Sequence, residues 1–334
     1  MQRREFVTMG LAAAVPACFA AVVPEVDPKT LSVPAFEAAV KTLEATTLFD
    51  DAARKAALAT IQKHIYAMRT AKAFGEYMRG GEKMAPAKLK ALLDANPPLW
   101  WMERSFEKVF KEFQETKVTG DTPAVWYLYN MGVVVKTKTV SFGIDICHRL
   151  APRLAPLLDF ALITHNHDDH WRPAFYAAMN GAGKTVVSNF LDNYGVKDWR
   201  KDGGFTRAEK EFQLKDVAVR TSSVDHNGYL VDFTTAFEVR VGDWLLYHTG
   251  DCGNAAKLRT TWGRPDLWLF FPGCGVKVDE AVGKIGAKRT VFGHFWELGH
   301  RQWRLSTPLI RAACAKAESV GTKPELPLWG ARIA

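Results

Sequence analysis

Residues 164–170 read Thr-His-Asn-His-Asp-Asp-His, so from His165 on the chain carries H-x-H-x-D-H directly behind the apolar run Phe160-Ala161-Leu162-Ile163. A short apolar run of this kind reads as a buried strand. A strand that ends in such a cluster sets imidazoles and a carboxylate on one short loop. Neutral imidazole nitrogens and carboxylate oxygens suit zinc and other borderline divalent metals. Three of the nine histidines fall in this one window. A merely solvated loop has no need of Asp168 and Asp169 wedged between histidines just after a buried strand, so the window points to a metal site.

Four further motifs follow the same rule of an apolar run ending in a ligand-type residue. Asp145 closes Phe142-Gly143-Ile144-Asp145. His226, in Ser223-Val224-Asp225-His226, comes shortly after the apolar Val217-Ala218-Val219, Asp251 follows Trp244 to Gly250, and His294 ends Thr290-Val291-Phe292-Gly293-His294. Five motifs in this order resemble the metallo-β-lactamase superfamily of metal-dependent hydrolases, over roughly residues 118 to 334. The resemblance implies an α/β fold, an αββα sandwich of two sheets packed face to face with helices outside and the ligands meeting in a cleft along one edge.

It also implies roles. One metal would be held by His165, His167 and His226, a second by Asp169, His170 and His294, with Asp251 bridging the two and Asp145 behind them. Three protein ligands and a shared carboxylate leave room for water at each ion, as in a catalytic rather than a closed structural site. The implied cofactors are two divalent ions, most simply zinc, with manganese or iron as alternatives; His167 stands where a glutamate accompanies di-iron oxygen chemistry in this family. Water held between two cations loses its proton near neutral pH, and the resulting hydroxide would attack a carbonyl or phosphorus. Antibiotic-hydrolysing members lack the bridging aspartate, whereas lactonases, glyoxalase II and several phosphodiesterases have it. The expected activity is therefore hydrolysis of a lactone or phosphodiester; the alternative is a non-catalytic metal-binding protein that keeps the fold.

Other residues near the motifs carry two readings each. His300, in Glu297-Leu298-Gly299-His300, is a candidate proton donor to the leaving group or a hydrogen-bonded loop residue. His148 could stand behind the metals, and His248 is expected on the far side of its strand end or packed below them. His64 lies in a helical stretch and is expected on the surface. Trp171 and Trp296 could wall a pocket or simply be buried. Asp168 could orient a neighbouring imidazole.

The N-terminus carries a second signal. Arg3-Arg4-Glu5-Phe6-Val7 precedes an uncharged, Ala-rich stretch from Met9 to Val23, which reads over residues 1–23 as a twin-arginine export signal and hence a periplasmic or exported protein. Cys18 offers a loose lipoprotein box, the one route beyond the signal to membrane contact. Cys147, Cys252, Cys274 and Cys314 have no metal-ligand spacing; Cys147 and Cys252 read as buried thiols, or as a disulfide in an oxidising compartment. The formal charge of +8 fits an anionic or lipid-like small molecule, and because Lys and Arg are scattered no nucleic acid is expected as partner.

Residues 24–117 read as a linker and then a helical extension. Phe36, Ala39, Val40 and Leu43 recur at helical spacing, Leu58, Ile61 and Ile65 mark a second helix, and Gly80-Gly81 and Pro97-Pro98 break the region. The extension is expected to be packing material, with Leu99-Trp100-Trp101-Met102 either joining the core or shaping an apolar channel. From Pro123 the pattern turns to strands: Val125 to Tyr129 and Val133 to Val135 flank Asn130-Met131-Gly132 as a hairpin, and Asp279 to Lys288 reads as a later helix.

Overall fold

A computed structural model describes residues 32–45, 52–67, 70–190, 209–295, 298 and 307–334. Five helices come first: α1 (Val33–Ala45), α2 (Ala52–Ala67), α3 (Thr70–Gly80), α4 (Pro86–Ala95) and α5 (Pro97–Glu115). Pro97 and Pro98 begin α5 rather than merely breaking the region, because a first-turn proline loses no helical hydrogen bond. The strands β1 (Ala124–Tyr127), β2 (Val133–Lys136), β3 (Ser141–Ile144), β4 (Phe160–Leu162) and β5 (Thr185–Val187) form one sheet in that order. The hairpin is present, with β1 and β2 antiparallel and Val125 opposite Val135.

The second sheet holds β6 (Lys210–Leu214), β7 (Val217–Val224), β8 (Thr234–Val241), β9 (Trp244–His248), β10 (Leu267–Phe270), β11 (Arg289–Phe292) and β12 (Lys323–Glu325), in the order β12-β11-β10-β9-β8-β7-β6. Three more helices are α6 (Pro173–Gly181), α7 (Val278–Ile285) and α8 (Thr307–Ser319). The parallel strand β10 is buried at all four residues, as befits a strand covered on both faces.

Alternation along the first sheet divides the core. Val125, Tyr127, Val133, Val135, Phe160 and Leu162 face the second sheet, while Ala124, Trp126, Val134 and Ala161 turn outward to Phe106, Val109 and Phe113 of α5 and Phe175 and Met179 of α6. The layers are thus helix, sheet, sheet, helix, the α/β sandwich expected. Each large side chain buried between layers contributes about 1.5–3 kcal/mol. Residues 330–334 pair along β1 through Tyr127 N–H to the Ala331 carbonyl and Ile333 N–H to the Val125 carbonyl, which covers that sheet edge.

The helical extension docks through Trp101, stacked on Trp329 at 4.2 Å, and Leu99 and Met102 are buried beside it, so the Leu99–Met102 cluster joins the core. Arg149 ion-pairs with Glu103 of α5, and Tyr77 of α3 donates to Glu103 at 2.6 Å. His64 corrects the surface expectation. It shares the buried stripe of Ile61 and Ile65, accepts from Ser32 N–H at Nε2 and donates from Nδ1 to the Thr60 carbonyl, with 2% of its surface exposed. No described helix is long and apolar enough to cross a membrane. The export signal, Cys18, Trp296 and His300 lie outside the described residues.

Candidate metal centre

Five loops converge just beyond β3, β4, β7, β9 and β11, bringing Asp145, the 165–170 loop, His226, Asp251 and His294 to one edge of the sandwich. Gly250 makes the approach of the β9 loop possible. A Cβ there would lie 2.7 Å from Thr164 and 2.9 Å from Thr234, and its φ of +51° is one that side-chain-bearing residues rarely adopt.

Asp145 organises the interior. Its Oδ1 accepts Thr164 N–H at 2.8 Å, and its Oδ2 accepts the Thr164 hydroxyl at 2.7 Å and His170 Nδ1–H at 2.9 Å. Because the Thr164 proton points at Asp145, its oxygen accepts from His165 Nδ1–H, 2.9 Å away. This network assigns the Nδ1–H tautomer to both histidines and turns their Nε2 atoms inward. The role imagined for Asp168 falls to Asp145 instead. Asp168 is exposed, and its carbonyl accepts the Cys147 thiol.

Two groups of donors result. His165, His167 and His226 offer ligand atoms within 4.8 Å of one another, and so do Asp169, His170 and His294; Asp251 reaches both, with Oδ1 3.2 Å from His170 Nε2 and Oδ2 3.5 Å from both His226 Nε2 and His294 Nε2. The Nε2 atoms of His165, His170 and His226 and Oδ1 of Asp251 are buried without a hydrogen bond among the described residues. Buried polar atoms are ordinarily satisfied, so this concentration of unsatisfied donor atoms fits a cation. The charges agree. Burial alone would push the Asp169 and Asp251 carboxyls up, but His170 and His294 hold both well below the usual carboxylate range. Burial opposes charge on His170 too, yet Asp251, Asp169 and Asp145 raise it well above its ordinary value. The carboxylates demand positive charge here, and a divalent ion can supply it. Burial drives His165 well down and His167 to about 4, so both offer neutral lone pairs.

Several participants were not legible in the sequence. Asn130, in the β1–β2 turn, donates to Asp169 Oδ2 at 2.9 Å, and its carbonyl accepts His294 N–H and the Tyr127 hydroxyl. Asn130, Asp145 and His294 all have positive φ, at 53°, 51° and 68°. Such backbone persists where the surroundings over-determine it, commonly at functional sites. Phe233 lies against the rings of His165, His167 and His226, and Phe271 stacks on His294 at 4.1 Å. Cys274 stands beside His226 and Asp251; only its place between two glycines, in Gly273-Cys274-Gly275, hinted at a close approach.

The remaining candidates among the described residues make packing and hydrogen-bond contacts. His248 donates from Nε2 to the Met131 carbonyl at 2.8 Å and accepts Gly250 N–H, below the centre as expected. His148 stacks on Phe106 at 4.2 Å and meets the Tyr77 hydroxyl at 2.9 Å, so it belongs to the docking of the helical extension. Trp171 is buried against Phe190 and Tyr176. Cys147 and Cys252 are buried thiols rather than a disulfide, and burial pushes Cys252 up to about 12.

No family model matches the chain. Among curated proteins it is similar to a UPF0173 protein of Pyrococcus abyssi, 28% identical over 155 residues and covering 43% of this chain and 67% of the relative. It is also similar to a UPF0173 metal-dependent hydrolase of Anaeromyxobacter dehalogenans, 28% identical over 219 residues, covering 54% of this chain and 77% of the relative. Among solved structures, CmlA, a diiron β-hydroxylase of Streptomyces venezuelae, superposes with a TM-score of 0.51 at 12% identity over 63% of this chain and 54% of that one. At that identity the likeness concerns the fold.

Proposed function

We propose that this chain is a metal-dependent hydrolase of the metallo-β-lactamase superfamily, a reading supported by its similarity to a UPF0173 metal-dependent hydrolase, and that it uses two divalent ions to hydrolyse an ester-type bond, a lactone or a phosphodiester. The observation that carries the reading is the set of buried donor atoms without hydrogen bonds, spread over two groups that share Asp251. One ion would be held by His165, His167 and His226 and the other by Asp169, His170 and His294, with Asp251 common to both; zinc suits the nitrogen-rich set. Bound there, such ions supply Lewis acidity, acidify water and stabilise negative charge that develops on the substrate.

The chain's own residues prepare that chemistry. Asp145 and Thr164 fix the tautomers of His170 and His165, Asn130 steadies Asp169, and Phe233 and Phe271 keep water from the backs of the imidazoles. His300 remains the proposed proton donor. The loop beyond His226 carries Tyr229, 84% exposed, and Val231, 51% exposed, an apolar lip that supports a lipid-like or aryl-bearing substrate. We also propose export by the twin-arginine route, which carries folded protein and suits an enzyme that loads metal first; changing Arg3 and Arg4 to Lys should leave the protein in the cytoplasm.

The test is turnover of a phosphodiester and a lactone by metal-loaded protein lacking residues 1–20, with Asp251→Ala as control. Phosphodiester or lactone turnover that vanishes in the variant, with metal occupancy lowered and the fold retained, is expected. Unchanged turnover in Asp251→Ala would overturn the bridging role, and two bound ions without turnover of either ester would favour a non-catalytic metal-binding protein.

A further inference from the structure

Beyond the two histidine-rich groups, the centre has a third face. Cys274 Sγ, one ligand atom of His226 and an Asp251 oxygen lie within 4.8 Å of one another. Cys274 arrives on the short loop between β10 and α7, far in sequence from both partners. Its position follows from Gly253. That residue sits where the β9 loop passes between the β7 loop and the Cys274 loop, donating its N–H to the Asp225 carbonyl at 2.8 Å. A Cβ on Gly253 would lie 2.4 Å from the His226 carbonyl oxygen and 2.7 Å from the Cys274 carbonyl oxygen, so only glycine lets the three loops close to this distance.

We propose that Cys274 is a sulfur ligand of the centre, joining His226 and Asp251 on the ion that His165 and His167 also approach. This rests on the metal reading above and adds to it a thiolate that makes this position selective for thiophilic cations. The chemistry is that of a nitrogen, oxygen and sulfur donor set, the combination zinc and cobalt accept readily and manganese and magnesium do not. Ligands about 2.3 Å (sulfur) and 2.1 Å (nitrogen) from one ion lie at most about 4.4 Å apart. The three donor atoms, all within 4.8 Å of one another, are gathered on the scale of that reach. As the sulfur–metal bond forms the S–H bond breaks and the proton leaves to solvent. His226 Nε2, buried, without a hydrogen bond among the described residues and 3.5 Å from Asp251 Oδ2, is the independent sign that a cation belongs at this face.

The experiment is titration of the metal-free full chain with cobalt(II), reading thiolate-to-cobalt charge transfer in the near ultraviolet and ligand-field bands in the visible, for wild type, Cys274→Ser and Cys314→Ser. Expected is a near-ultraviolet band in wild type and Cys314→Ser that is lost in Cys274→Ser, while the visible bands and the circular dichroism of the fold persist there. Visible bands without a near-ultraviolet band in wild type, or a band that survives Cys274→Ser, would overturn the sulfur ligand and leave the histidine–aspartate centre standing. Absence of any cobalt spectrum in all three proteins would overturn the metal reading itself, and this ligand with it.

Discussion

Replacing Asp145 by Asn should cripple metal binding while leaving the sandwich folded. The carboxylate accepts three hydrogen bonds, from Thr164 N–H, the Thr164 hydroxyl and His170 Nδ1–H. Asparagine has the same shape and can still accept Thr164 N–H through its oxygen. Its amide group then faces the Thr164 hydroxyl and His170 Nδ1 as a donor. His170 can satisfy it only by moving its proton to Nε2, the atom 3.2 Å from Asp251 Oδ1. A protonated Nε2 has no lone pair for a cation. Thr164, its acceptor gone, is free to turn its hydroxyl proton onto His165 Nδ1, so the same fault can reach the other group of ligands. Loss of a partner that orients a ligating histidine typically weakens metal affinity 10- to 100-fold, about 1.4–2.8 kcal/mol. Chelator competition with zinc measures this directly, and thermal melts of the metal-free proteins show whether the fold survives. A variant that melts like wild type and holds both ions with wild-type affinity would refute the tautomer argument.

Other perturbations probe other joints. Glu103→Ala strands the Arg149 guanidinium, only 4% exposed, at the seam between α5 and the loop after Asp145; losing one partner of a buried pair typically costs about 3–5 kcal/mol, and a urea-denaturation change below about 0.5 kcal/mol would show that the seam does not depend on this pair. His148 is held well below its ordinary value by burial and then by the Arg149 guanidinium. The unfolded chain therefore takes up that proton first, and stability present above about pH 6.5 is lost as pH falls toward the folded value, by up to about 1.4 kcal/mol per unit. In excess metal His148→Gln should flatten that slope, and an unchanged slope would remove His148 as its source. Gly253→Ala forces a Cβ against two carbonyl oxygens; overpacking of this kind costs about 1–3 kcal/mol, and urea unfolding with a metal titration should show weaker binding along with the lost stability, so wild-type values in both would contradict the close packing of the three loops.

How much of this was legible follows from the distance over which each signal acts. H-x-H-x-D-H was readable because its residues share one loop, and the hairpin of Val125 to Tyr129 and Val133 to Val135 was readable because two β-rich runs and the turn between them are local. His64 was misread for lack of a partner: helical spacing put it beside Ile61 and Ile65, but nothing nearby in sequence showed that Ser32 and Thr60 would satisfy both ring nitrogens. The roles of Asn130, Phe233 and Phe271 were invisible for the converse reason, and that of Cys274 was hinted at only by its flanking glycines, since each matters only where loops far apart in sequence meet. The three positive-φ residues show what holds that meeting place together. Asn130 carries its own strained backbone, accepts the His294 backbone N–H and donates to Asp169. One turn of the first sheet thereby positions ligands from the loop after β4 and from the end of β11 in the second sheet. Neither sheet can shift against the other without moving a donor, so the packing of the two sheets and the geometry offered to a cation are the same property, and a substitution at the β1–β2 turn should be felt at the centre before it is felt in the core.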